Sequence, residues 1–104
     1  MNEIALFFTG ALLCNAIPHL AAGLRGETFP TPFAKPHGVG PSSPMVNFLW
    51  GSLNLAIGLT ILSLHPVTDP FTLDAGFIAA GFLLLGAAMS YRFGKVREGQ
   101  ATRG

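Results

Sequence analysis

Residues 44–64 read PMVNFLWGSLNLAIGLTILSL, and the solvent this stretch is built for decides the fold. It carries no ionisable side chain over 21 residues, which as a helix is enough to cross a hydrocarbon core of about 30 Å. Asn47, Gly51, Asn54 and Gly58 recur at i, i+4, i+7 and i+11 and share one helix face, while Met45, Phe48, Leu49, Leu53, Leu55 and Leu59 fill the rest. An asparagine amide in hydrocarbon needs a hydrogen-bonding partner, so this face predicts a protein neighbour or a wet cavity. Ser43 as N-cap, Pro44 at the first helical position and Pro66 after His65 bound the span at about 44–65.

The composition agrees with lipid as the solvent. Half of the 104 residues are hydrophobic and 11% are charged, too few charges to cover the surface of a water-soluble domain. The net charge of +1, without a dense Lys/Arg run, argues against nucleic acid as a partner.

Working towards the N-terminus, residues 4–24 form another apolar run of spanning length. The start does not read as a cleaved signal peptide, because it has Glu3 and no Lys or Arg, and the apolar run continues to Leu24. Asn15 and His19 lie one turn apart on one face with Pro18 between them, and Cys14 sits at lipid depth. Between the two spans, 25–43 changes character. Pro30, Pro32, Pro36 and Pro41 exclude a continuous helix, while Phe29, Phe33 and Val39 supply apolar anchors. An ordered loop follows, lying on the membrane surface or over the helix ends, with Arg25, Lys35 and His37 as lid or interface residues.

Working towards the C-terminus, Asp69-Pro70 repeats the cap-then-proline signal and starts a third span, about 70–93. Gly86, Ser90 and Gly94 make a small-xxx-small series suited to close helix packing. A short polar tail, 95–104, is expected to fray. The fold class is therefore an all-α integral membrane protein, a single domain over 1–104 with three transmembrane helices and a Pro/Gly-rich ordered loop between the first two.

Charge sets the orientation. Arg25 and Lys35 flank the first connection and Arg92, Lys95, Arg97 and Arg103 follow the third span, whereas the second connection holds Asp69 and Asp74 without Lys or Arg. The positive-inside rule puts the first loop and the C-terminus in the cytoplasm and the N-terminus outside, in a multi-pass plasma-membrane protein of bacterial type. Counted from the cytoplasmic ends at about 1.5 Å per residue, His19 and Asn47 lie roughly 5–8 Å deep and Asn15 and Asn54 roughly 13–15 Å deep, with Ser90 near the first level. Two polar rungs at matching depth are expected.

Several chemistries are unsupported by the residues. Apart from Asp74 near the start of the third, no span contains a carboxylate, and no His or Cys pair has the spacing of a zinc or haem site, so neither a metal nor a cofactor is expected. Three function classes fit. The first is a binding or transport module for a small or lipid-like molecule, with Asn15, His19, Asn47, Trp50, Asn54 and Ser90 lining a pocket open to the cytoplasmic side. The second is an accessory subunit of a larger membrane complex, in which the same groups only hold helices together. The third is a small membrane enzyme with His19 or His37 as acid/base. Partners are the bilayer and either a second copy of the chain or a larger assembly.

Overall fold

The computed structural model describes residues 2–103, with side-chain surroundings over 2–99. Met1 and Gly104, the ends of the expected 1–104 domain and 95–104 tail, lie outside the described residues. Three helices follow in order: α1 (Asn2–Leu24), α2 (Pro44–Leu64) and α3 (Leu73–Arg103). All three are long and apolar enough to cross a membrane, and no strand occurs among the described residues.

The burial pattern is the reverse of a water-soluble core. The buried residues of α2 are Asn47, Gly51, Asn54 and Gly58, while Leu24, Leu64 and Leu83 stand 74%, 70% and 67% exposed. Apart from Leu6, the buried hydrophobic residues among those described are Cys14, Ala16, Ala22 and Ala34, all small. In water this surface would drive aggregation; in lipid the large side chains meet the acyl chains and the small ones let helices approach. The architecture suits a small multi-pass membrane protein.

The central element is α1, because it packs on both other helices while no Cα of α2 comes within 8 Å of a Cα of α3 among the described residues. Small residues on two faces of α1 and its neighbours explain this. Toward α3, a Cβ on Gly10 would overlap the carbonyl of Ile78, and a Cβ on Gly81 would overlap the carbonyl of Phe7. The two backbones therefore touch reciprocally, the geometry of Cα–H···O contacts. Toward α2, a Cβ on Gly51 would come within 2.8 Å of the Leu20 nitrogen, and one on Gly23 within 2.7 Å of the Phe48 nitrogen.

The helix ends show how the chain turns. Gly26 adopts φ 69° just past α1, and Glu27 N–H donates to Ala22 O at 2.9 Å, so a left-handed residue closes the helix in the Schellman manner. Ser43 caps α2 by accepting from Val46 N–H at 3.1 Å. The third helix departs from the sequence expectation at both ends. Asp69 spends its carboxylate on Phe71 N–H in a local turn, and Thr72 is the cap, accepting from Ala75 N–H, so α3 starts at Leu73 rather than near 70. Its C-terminal end runs on through the expected frayed tail to Arg103. At 31 residues α3 is about 46 Å long, longer than the roughly 30 Å thickness of a hydrocarbon core.

Candidate functional site

The separation of α2 from α3 leaves a cavity of about 490 Å³, within the range of small-molecule sites. Its floor is α1 (Phe8, Ala11, Leu12, Asn15, His19) and its walls are Trp50 and Asn54 of α2 and Leu85, Met89, Arg92 and Phe93 of α3. One end is closed by the 25–43 connection through Pro30, Thr31, Pro32, His37 and Gly38. Most of this lining is apolar, and the polar groups gather toward the loop.

Asn47 connects the loop to the site. Its amide nitrogen lies 2.9 Å from Phe29 O, 3.2 Å from Ser42 O and 3.1 Å from Ser43 O, and its oxygen lies 2.7 Å from His19 Nδ1. Asn47 is fully buried and His19 is 2% exposed. The loop adds its own tie, an isolated antiparallel bridge between Phe29 and Ser42 with a 2.6 Å hydrogen bond between the buried hydroxyls of Thr31 and Ser42. A second rung lies deeper: Asn15 Nδ2 donates to Asn54 Oδ1 at 3.0 Å, and Asn54 Nδ2 donates to Trp50 O at 2.8 Å.

Aromatic packing locks the loop above these rungs. The Phe29 ring meets His19 edge-on at 5.4 Å between centroids and Phe93 at 4.8 Å, and Phe33 meets Trp50 edge-on at 5.1 Å. Arg92 donates to Gly38 O at 3.3 Å, bringing α3 to the same end of the bundle as the first connection.

The sequence candidates divide clearly. Asn15, His19, Trp50 and Asn54 line the cavity, and Asn47 stands behind His19 without lining it. His37 also lines it, its Nδ1–H donating to Pro32 O at 2.9 Å. Ser90 does not join them: it is exposed and borders a separate outer groove with Cys14, Ile17, Pro18, Phe82 and Gly86. Its depth matches, but the face turned to the cavity carries Leu85, Met89 and Arg92, and Ser90 sits about 100° round the helix from Met89. Arg25 pairs with Glu27 at 2.7 Å away from the cavity, and its hydrogen bond holds the Glu27 carboxyl below its ordinary range. Lys35 is exposed and outside the lining. Of the packing series, Gly86 faces Cys14 Sγ, Gly94 faces open space, and the tight helix contact runs instead through Gly10 and Gly81.

Sequence reasoning missed Met89, Leu85 and Arg92 as lining residues, and Phe29 as the keystone under the loop. Among the described residues no group of three or more His, Cys, Asp or Glu side chains is placed to hold a metal ion. No known protein family, curated protein or solved structure matches the chain. The fold and cavity thus define a class by construction alone: three helices, each long and apolar enough to cross a membrane, with a cavity between two of them that do not meet.

Proposed function

We propose that the protein is a binding module for a small amphiphilic molecule, held with its apolar body between α2 and α3 and its polar head beneath the loop. One observation carries this reading: a cavity of about 490 Å³ with an apolar wall and polar groups collected at one end, beside a gap between α2 and α3. In a bilayer that gap is a lateral mouth for a molecule dissolved in lipid, and the loop covers the cytoplasmic end. Movement of the ligand to or from the headgroup region past the loop would make the same site a transport module. The enzyme alternative has less support, since no carboxylate lines the cavity to assist His19 or His37.

Native mass measurement of protein released gently from detergent tests this reading. The wild type should retain a bound amphiphile, and Ala11→Phe, which fills the floor of the cavity, should lose it while keeping its fold. Equal retention by both proteins, or retention by neither, would sink the reading.

A second reading, as a subunit of a homo-oligomer or larger complex, is favoured by α3. Little of its spanning stretch is buried, and Gly76 and Gly94 face open space where another helix could approach closely.

A further inference from the structure

Both rungs beneath the loop have a direction, and it is set by backbone carbonyls that can only accept hydrogen bonds. Three of them, Phe29 O, Ser42 O and Ser43 O, surround one end of the Asn47 amide within 2.9–3.2 Å. Only the NH2 group can occupy that end, because the reversed amide would set its oxygen against three others. Asn47 Oδ1 therefore faces His19, and the contact at 2.7 Å requires the proton on His19 Nδ1. The neutral imidazole is fixed in one tautomer, and its Nε2 carries a lone pair.

That lone pair has no partner among the described residues. His19 makes one hydrogen bond, to Asn47, and its remaining ring contact is the edge of Phe29. No fully enclosed side-chain nitrogen or oxygen among the described residues lacks a partner. Nε2 of a residue only 2% exposed must therefore reach open space, and the space His19 borders is the cavity.

The deeper rung has the same polarity. Trp50 O accepts from Asn54 Nδ2, which turns Asn54 Oδ1 toward Asn15, so Asn15 donates and keeps its own oxygen free of any partner among the described residues. Two relays start on backbone carbonyls, pass through an asparagine of α2, and end on α1 in an acceptor beside the cavity. His37 repeats the pattern, since its Nδ1–H is taken by Pro32 O.

We infer that the cavity takes a hydroxyl-headed amphiphile, an alcohol or phenol with an apolar tail, in preference to an ether or ketone of the same shape. The hydroxyl donates to His19 Nε2, and its oxygen can still accept from a donor at the cavity wall, the Arg92 guanidinium or the Trp50 indole N–H. An ether or ketone can only accept. It would bury Nε2 without a partner, a loss that corresponds to about tenfold in affinity. This inference rests on the amphiphile-binding reading and specifies the ligand class of the same site.

The test uses the wild-type protein in phosphatidylcholine nanodiscs with two matched probes, 1-dodecanol and its methyl ether. Binding is read by Trp50 fluorescence, and the His19 ring nitrogens are read by 15N NMR, assigned as the signals that a His19→Gln control lacks. The expected result is saturable binding of the alcohol about tenfold tighter than the ether, with the unprotonated His19 nitrogen shifting only when the alcohol is added. Equal saturable binding of both probes with an unmoved His19 resonance would overturn the hydroxyl preference and leave the amphiphile reading standing. Saturable binding of neither would overturn the amphiphile reading itself. A ligand-free spectrum with the proton on Nε2 would overturn the relay.

Discussion

His19 Nδ1 lies 2.7 Å from Asn47 Oδ1, a contact that joins α1 to α2 and, through the other end of the same amide, ties both to the loop over the cavity. Asn47 is enclosed, with its two N–H bonds shared among three carbonyls, and the His19 ring makes no other hydrogen bond among the described residues. The two side chains should therefore behave as a unit. Truncating His19 or Asn47 to Ala should each cost on the order of 0.5–2 kcal/mol, with Asn47→Ala the larger because it also releases the loop. The double mutant should cost less than the sum, by more than about 0.5 kcal/mol, in reversible unfolding in mixed micelles. Additive costs would mean the pair is not coupled.

The glycine contacts give a contrast within one helix. A Cβ at Gly81 meets the backbone of Phe7, which cannot move out of the way, whereas a Cβ at Gly94 meets nothing within 4 Å. Gly81→Ala should destabilise the protein by about 1–3 kcal/mol through separation of α1 and α3. Gly94→Ala should be neutral or slightly stabilising in the isolated protein, since alanine favours a helix by up to about 1 kcal/mol over glycine. Thermal unfolding of the two variants in the same detergent decides it.

What could be read from the sequence follows from which helix coordinate each residue tests. The four residues of the polar and small face of 44–64 are the four that α2 buries, because periodicity reports azimuth within a single helix. Depth was equally readable, since a fixed rise per residue put His19 level with Asn47 and Asn15 level with Asn54. The azimuth of one helix relative to another was not. Ser90 shares the depth of the upper rung yet faces the outer groove, because the rotation of α3 is set by the close contacts of Gly10 with Ile78 and of Gly81 with Phe7, which leave no periodic trace. The start of α3 was hidden by chemistry of the same kind at two sites: Asp69 and Thr72 can both cap a helix, and only the turn at Phe71 decides between them. The Thr31–Ser42 pair joins residues of a proline-rich segment whose backbone path no local pattern specifies.

Ser90 lies outside the cavity lining. It is exposed and touches no part of the polar rungs, so Ser90→Leu should leave the stability of a single chain within about 0.5 kcal/mol of wild type. If copies associate through the outer face of α3, the same change should lower the oligomeric state by blocking close approach. Native mass measurement of wild type and variant checks this, and an unchanged oligomer would move the interface elsewhere.

The orientation proposed from charge is open to a labelling test. Thr31 is enclosed, but Lys35 and Thr68 are exposed and lie on the two different connections. In a Cys14→Ser background, Thr68→Cys should react with an impermeant thiol reagent in intact cells and Lys35→Cys should react only after the membrane is opened. The opposite labelling pattern would invert the topology.

Trp50 is the chain's one tryptophan and lines the cavity, so the central claim has a built-in reporter. The most direct measurement is quenching of Trp50 fluorescence by a brominated single-chain amphiphile, titrated at low mole fraction into nanodiscs of unbrominated lipid. A binding cavity predicts a saturable component that is present in the wild type and abolished by Ala11→Phe. Quenching that rises linearly with the bromolipid fraction, and equally in both proteins, would show Trp50 meeting only bulk lipid and would contradict the account.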